Sequence, residues 1–402
     1  MSAVPGRPKP GTWLSLTVTL AIQAMVSMAL LVLPVMAPEV GRALNLPTTM
    51  VGFYIALAYL GAMLASLASG ALVLRLGAVR VSQIGLLLCA LGLILCAVPS
   101  LPVATVGALL IGLGYGPVTP ASSHLLARST APQRLSLVFS VKQTGVPLGG
   151  VLAGALVPTL LLFSHWQVAL LIVALVCVAC ALLAQPLRDG LDDDRDATHP
   201  VSLGHLLRPV RLVLSQPVLR MLALCSFFFS AIQLSLTTYL VSFLHDDLGL
   251  TLVAAGLAMA ASQMAGMVGR VAWGWVADRY LGARRTLIVL ATLMLLCCLA
   301  TALLGRALPM SLLLPVVVVF GACAVGWNGV YLAEVARQAP VGLASVATGG
   351  TLAFTFMGVV IGPPLFGLLS GTLGGYSYGY AALAVPALLC GVLLWREGRR
   401  VA

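Results

Sequence analysis

Charge is scarce in this sequence. Of 402 residues, 22 are Lys or Arg and 11 are Asp or Glu, 8% in all, where soluble domains carry about 25%. Hydrophobic residues make up 60% and the mean hydropathy is +1.08. A water-soluble fold of this length needs polar residues to cover its outside, so a soluble enzyme and a disordered chain are both excluded. The nine cysteines all fall inside apolar runs. Cys177 and Cys180 have CxxC spacing but no acid or histidine near them in sequence. They read as small buried hydrophobes, which excludes a disulfide-stapled domain and leaves no metal site. Nucleophile motifs, phosphate loops and cofactor signatures are missing too, so the expectation is a protein that is not an enzyme and carries no cofactor. What remains is a polytopic membrane protein whose outer solvent is lipid.

A spanning helix takes about 20 apolar residues, whereas a β-barrel would show segments of about ten with alternating polarity. The apolar runs here are unbroken and long, which predicts helices. They cover 13–37, 50–73, 82–99, 102–126, 136–162 and 166–185, then 218–243, 251–276, 286–305, 309–333, 343–369 and 378–395. Between the two sets lies one long polar stretch, 186–217, with Asp192, Asp193, Asp194, Arg195, Asp196, His199, His205, Arg208 and Arg211. The predicted fold is an all-α membrane protein of twelve transmembrane helices in two pseudo-symmetric six-helix bundles, 1–185 and 218–402, joined by a cytoplasmic linker at 186–217. Arg7 and Lys9 precede a first run too long for a signal peptide, which predicts a retained first helix.

Basic residues set the orientation. With the N-terminus in the cytoplasm, eighteen of the 22 cations fall on the cytoplasmic side, only Arg42 and Arg306 fall outside, and Lys142 and Arg270 lie within spans. Both termini are therefore expected in the cytoplasm, with the protein in an inner membrane. The +11 charge is a topology signal. Its cations are spread over the inner loops and form no patch, so no nucleic-acid partner is expected.

The halves also repeat. Gly70–Arg75 reads GALVLR and Gly274–Arg279 reads GWVADR, an offset of 204. Gly112, Arg128, Ser136 and Gly149 match Gly321, Arg337, Ser345 and Gly358 at an offset of 209. Duplicated helical units are a common transporter architecture, with substrate bound between the repeats near the bilayer midplane.

The segment Gly274-Trp275-Val276-Ala277-Asp278-Arg279-Tyr280-Leu281-Gly282-Ala283-Arg284-Arg285 resembles the loop motif of the major facilitator superfamily, with one extra residue before its second glycine. The first-half copy has Gly70, Arg75, Gly77 and Arg80 but Leu74 where the motif has its acid. The resemblance covers the whole chain and implies alternating access by rocking of two bundles. It also implies that Gly274, Asp278, Arg279 and Arg284, with Arg75 in the first half, belong to a gate. The bland reading of the same loop is a solvated, charge-rich turn.

Two cations inside apolar runs draw the functional reading. Lys142, one of only two lysines, lies in the fifth run beside Ser140, Gln143 and Thr144. An intramembrane charge is expensive and defaults to a functional hypothesis, although a shallow lysine can snorkel to the headgroups. Arg270 lies one turn before Gly274. The stretch Gly269–Gly274 resembles the eighth helix of oxalate/formate-type antiporters and monocarboxylate carriers, where an arginine binds the substrate carboxylate. The stretch Val141–Gly145 with Pro147 resembles cyanate-permease-like carriers. The alternative for Arg270 is an arginine that pins helix ends to Asp278 or to a carbonyl. Every acid lies in a loop or at a span end, so an anionic substrate is the expected counter-charge for both cations.

Further cavity candidates are polar or aromatic residues at mid-span. Gln23 and Ser27 share a helix face at i, i+4, as do Gln233 and Thr237. Tyr54 and Tyr59 lie in the second run, and Tyr115 and Thr119 in the fourth, which Pro117 and Pro120 should kink. Trp327, Asn328 and Tyr331 form a cluster in the tenth. At offset 209, Thr119 matches Asn328 and Lys142 matches Thr351. Each of these alone could equally be a packing residue. The glycines Gly145, Gly149, Gly150 and Gly154, and Gly358 with Gly362, read as close helix contacts. For proton coupling the candidates are Glu39, His124 and Glu334, all near span ends.

The resulting expectation is a secondary carrier of a small organic anion, moving it with a proton or against a counter-anion, and working as a monomer in lipid. One alternative is a proton-coupled exporter of drugs, which would call for an embedded acid in the first-half cavity. Another is a membrane receptor or sensor, which would ordinarily carry a soluble domain.

Overall fold

The computed structural model describes residues 11–130, 135–196, 198, 208–305, 310–340 and 344–401. Arg7, Lys9, Arg134, Arg306, His199 and His205 lie outside the described residues. So do the side chains of Ser136, Ser140, Arg208, Ser345, Glu397, Arg399 and Arg400. Among the described residues, twelve helices are long and apolar enough to cross a membrane: Thr12–Val35, Thr48–Ser66, Ala78–Cys96, Leu101–Leu126, Val141–Leu160 and Trp166–Leu191, then Pro217–Asp247, Leu252–Leu281, Ala283–Ala302, Ser311–Gln338, Ala347–Leu373 and Tyr376–Arg396. We number them spans 1 to 12. The regular elements among the described residues are all helical. Helices satisfy every backbone group internally, which lipid cannot do for them. Their lipid-side residues stay apolar: Leu175, Leu182 and Val268 are each more than 60% exposed. An even number of crossings returns the chain to its starting face. We call that the terminal face, and the opposite one the far face.

Spans 4, 5 and 10 are interrupted along their length. Span 4 is a helix over Leu101–Tyr115, a break at Gly116-Pro117, and a second helix over Val118–Ser129. The kink expected from Pro117 is there. Span 10 breaks at the repeat-related place, between Met310–Ala324 and Asn328–Gln338; Tyr115 and Ala324, the last residues before each break, are 209 apart. Span 5 breaks at Thr144, between helices Leu135–Gln143 and Gly145–Leu160.

The two loop copies differ by one residue, and the backbone shows how. In the first, Gly77 N–H donates to Val73 O at 2.8 Å, an ordinary helical bond. In the second, Gly282 N–H donates to Ala277 O at 2.9 Å, and Ala277–Leu281 is a π-turn. A π-turn absorbs one inserted residue without ending the helix. Gly77 and Gly282 then both take positive φ, +96° and +75°, a conformation that glycine adopts without steric penalty.

Contacts group the chain into two compact units. One comprises Met1–Leu30, Gly61–Gly149 and Leu170–Gly204; the other comprises Leu31–Leu60, Gly150–Ala169 and His205–Ala402. This grouping does not run along the expected boundaries of 1–185, 186–217 and 218–402. The physical reason lies in the second unit, where the far-face ends of spans 1, 2, 5 and 6 pack with helices from the second half of the sequence. Glycine makes the closest of those approaches. A Cβ on Gly154 would meet Gly256 O and Ala260 N of span 8, and one on Gly256 would meet Gly154 O and Pro158. Gly358 and Gly362 of span 11 lie in the same way against Phe227 and Ala231 of span 7. In the first unit Gly149 lies against Ala24 and Ser27 of span 1. These are the close contacts that the glycine pattern suggested.

Replacing Gly154 or Gly256 with valine should force spans 5 and 8 apart and lower stability by about 1–3 kcal/mol, as overpacking does. Gly349, whose Cβ would meet nothing within 4 Å, should tolerate alanine. Thermal unfolding of the detergent-purified variants separates the two cases.

Candidate functional site

Each break in a span leaves backbone groups that the helix no longer satisfies, and polar side chains collect there. In the first unit, Lys142 ends the helix Leu135–Gln143 just before the break at Thr144. A cation is favoured at a helix C-terminus. Its side chain is only 1% exposed. Nζ donates to Thr119 O at 3.2 Å and to Ser123 Oγ at 3.3 Å. Thr119 Oγ1 donates in turn to Gln23 Oε1 at 2.9 Å, and Gln23 Nε2 reaches Ser27 Oγ at 3.4 Å. Spans 1, 4 and 5 thus meet in one polar cluster built of Gln23, Ser27, Thr119, Ser123 and Lys142.

The second unit repeats part of this geometry. Gln233 Oε1 accepts from Trp327 Nε1 at 2.9 Å and from Asn328 Nδ2 at 3.3 Å. Spans 7 and 10 are therefore joined through Gln233 and Asn328 as spans 1 and 4 are through Gln23 and Thr119. Thr237 Oγ1 donates to Gln233 O, and Gln263 Nε2 of span 8 donates to Thr237 Oγ1 at 3.1 Å. Trp327 packs edge-on to Tyr331 with ring centroids 5.1 Å apart. Both residues are 1% exposed. At the position matching Lys142, Thr351 bonds within its own helix to Thr348 O.

Arg270 is half-buried, and its Nε donates to Val325 O at 3.1 Å. Val325 is the first residue of the break in span 10. Trp273, one turn further on, donates to Ala322 O at 3.0 Å. Span 8 is thereby fastened to the broken end of span 10, and the carbonyl-pinning alternative for Arg270 is realised through one of its nitrogens. Of the other candidates, Tyr54 and Gln143 are half-buried, Tyr115 is buried, and the Tyr59 ring lies 6.4 Å from that of Phe356.

The expected gate residues sit at the terminal face. Asp278, Arg279 and Arg75 are exposed and Arg284 is half-buried. Asp278 makes no hydrogen bond or ion pair with a described residue. Gly274 has open space where a Cβ would be. The proton-coupling candidates all have partners. Glu39 pairs with Arg42 at 2.7 Å. His124 Nε2 lies 2.6 Å from Asp194 Oδ2. Glu334 accepts from Gln338 Nε2 at 3.0 Å with Arg337 3.8 Å away. Glu334 is also only 3% exposed, deeper than its place at the end of an apolar run suggested, because the helix continues to Gln338.

Sequence reasoning missed how the linker acids are used. Asp192 folds back to cap the helix Ala78–Cys96: its carboxylate accepts from Val79 N–H at 2.8 Å and Arg80 N–H at 3.0 Å. Burial pushes its carboxyl up from the usual range, while the two N–H donors and Arg188 pull it back. Asp193 and Asp194 both bind Arg128, at 2.7 and 2.5 Å. The first-half loop lacks an acid at Leu74, and a linker acid occupies the helix start beside it. Three consecutive aspartates were the available signal, but nothing in their spacing names the donors they meet.

The Major Facilitator Superfamily model matches residues 16–352. Among curated relatives, the chain is 23% identical over 175 residues to the hexuronate transporter of Bacillus subtilis, covering 42% of this chain and 41% of that one. It is 22% identical over 308 residues to the benzoate transport protein of Acinetobacter baylyi, covering 70% and 65%. It is 27% identical over 291 residues to monocarboxylate transporter 13 of Rattus norvegicus, covering 70% and 64%. The matches span less than two thirds of the length of each of these three relatives. Among solved structures, the nucleoside transporter NupG superposes with a TM-score of 0.79 at 15% identity, covering 95% of this chain and 99% of that one. The peptide transporter POT, solved with sulfate, gives 0.77 at 17%, covering 99% and 97%. At these identities the structures establish a shared fold.

Asp192→Ala should remove the cap and destabilise the start of span 3 by about 1 kcal/mol, the usual value of an N-cap. Gly77→Ala should do more damage, since φ is +96° and the new Cβ would run into the Asp192 carboxylate. Faster amide hydrogen exchange at Val79 and Arg80 is the expected readout for both.

Proposed function

The chain belongs to the Major Facilitator Superfamily and is a multi-pass membrane protein, and on that footing we propose that it carries a small organic anion of the carboxylate type by alternating access. Lys142 carries the reading. It is a cation sunk to 1% exposure beside a helix break, where its Nζ donates to Thr119 O and Ser123 Oγ. A charge inside a membrane span is costly and marks a functional position. Arg270 is the second cation of the reading. Its Nε bond to Val325 O orients the guanidinium, whose planar fork matches a carboxylate. The relatives named for hexuronate, benzoate and monocarboxylates support the same chemistry, since each name is that of a carboxylate.

In this reading Lys142 and Arg270 each act on the charge of an anion, while Gln23 and Thr119 tune the polarity beside Lys142 in the first unit and Gln233 and Asn328 that of the second unit. Asp278 is the acid of the gate in this reading, exposed at the terminal face. In the same reading both termini lie in the cytoplasm, following the distribution of the cations, and the chain works as a monomer in an inner membrane.

Lys142→Ala and Arg270→Ala should each lower carboxylate uptake into proteoliposomes by about 10- to 100-fold, the loss expected for a hydrogen bond to a charged group. Arg270→Lys should restore little, for want of a fork. Wild-type rates in both alanine variants would sink the reading. Carboxylates should also raise the unfolding temperature of the purified protein, by about 2.7 kcal/mol of stabilisation at a hundredfold excess over Kd. In Asp278→Asn, turnover should fall while that ligand-induced shift persists. An unchanged turnover would remove Asp278 from the gate.

A further inference from the structure

At the far face, a short turn that opens span 2 is held from two sides within the second unit. The turn is Thr48–Met50. Thr48 Oγ1 lies 2.9 Å from Asp246 Oδ2 and 2.6 Å from the Tyr376 hydroxyl. Next to it, Thr49 O accepts from the Tyr239 hydroxyl at 2.7 Å, which also reaches Pro363 O at 3.0 Å. The start of span 2 is thus tied to spans 7, 11 and 12. The fit leaves no slack: a Cβ on Gly52 or Gly367 would collide with the Tyr239 hydroxyl. The Tyr239 ring is stacked on Phe366 at 4.7 Å.

The proton inventory gives the first tie a direction. An ionised carboxylate only accepts, so Thr48 commits its single hydroxyl proton to Asp246. Tyr376 must then donate to Thr48 Oγ1. The result is an ordered chain, Tyr376 to Thr48 to Asp246, that ends on a negative charge. A hydrogen bond to an ionised acceptor is roughly twice as strong as a neutral one. Protonating Asp246 removes the charge that orders the chain.

We propose that Asp246 is a proton-binding site whose ionised form holds this far-face latch shut, so that acid on the far side favours its opening. The proposal rests on the reading of the chain as a carrier, and it supplies the coupling ion which that reading leaves open. Several other groups face the latch. On the same element, His245 bonds through Nδ1 to Leu250 O, and Asp247 accepts from Tyr376 N–H at 2.8 Å. From the helix Ala37–Leu44, Arg42 is close enough to act on Asp246 and is itself held by Glu39. From span 12 comes Tyr376. Of these, Asp246 is the carboxylate that ends the Tyr376–Thr48 chain, which is why its variant is the discriminating one.

The test uses the full chain without substrate. Amide hydrogen exchange is followed over Thr48–Phe53 and Phe243–Leu250 from roughly pH 4 to pH 8, corrected for intrinsic rates, a window that includes the ordinary carboxyl range. In the wild type, acid should raise corrected exchange by about tenfold, as expected when a charged bond gives way to a neutral one. Asp246→Asn should exchange at the fast rate throughout. Thr48→Val should do the same, and Thr48→Ser should behave as wild type. A wild type without the pH step, or an Asp246→Asn protein that keeps it, overturns the proposal. If Asp246→Asn fails to fold, Thr48→Val decides the matter in the same way: fast exchange at every pH supports the latch, and a retained pH step overturns it. Because exchange is read without substrate, failure of carboxylate transport in the wild type would refute the anion reading and leave the latch standing. If both hold, Asp246→Asn should also lose the far-side pH dependence of uptake.

Discussion

A helix interrupted inside a membrane exposes backbone groups that lipid cannot satisfy, and much of this structure follows from that constraint. Spans 4, 5 and 10 are all interrupted, at Gly116-Pro117, at Thr144 and at Val325–Trp327. At each interruption polar side chains gather. Arg270 takes the carbonyl of Val325, Lys142 lies at the end of the helix before Thr144 and reaches Thr119 O beyond the break in span 4, and Trp327 and Asn328 reach Gln233. The polar residues of an otherwise apolar chain collect where the backbone needs them. A site with donors, acceptors and cations is a natural product of the same breaks.

The repeat gives that arrangement its logic. The break in span 4 recurs in span 10 at the same offset, and the Gln23–Thr119 bond recurs as Gln233–Asn328. The halves diverge in where they place their cations. Lys142 has a threonine, Thr351, at its repeat-related position, and Thr351 bonds inside its own helix. The cation of the second half comes instead from span 8. A duplicated scaffold thus keeps its common hydrogen bonds while each copy carries its charge on a different helix.

The loops show a second divergence. The second-half loop keeps its acid, Asp278, and absorbs an extra residue as a π-turn. The first-half loop has no acid of its own. Asp192, 113 residues beyond Val79, caps the helix that follows Gly77, and Asp193 and Asp194 hold Arg128. The linker is therefore part of the first unit's terminal face up to that point and is not merely a tether. At the far face, hydroxyl and carboxylate chemistry at Thr48, Asp246 and Tyr376 adds directional bonds to a region otherwise closed by glycine contacts.

Composition and periodicity alone determined the twelve crossings, the duplicated pattern and the two cations within apolar runs, Lys142 and Arg270. The reason is that lipid imposes its demand on every residue of a span independently, so a charge such as Lys142 stands out against its neighbours. The glycines that permit close helix contact were legible for the same local reason, as were the prolines of span 4. Tertiary structure alone decided what those residues meet. Arg270 holds the Val325 carbonyl 55 residues away, Asp192 reaches Val79 across 113, and Thr48 meets Asp246 across 198. Hydrogen-bond partners across such separations depend on helix crossing and rotation, which the backbone packing sets and no local pattern encodes.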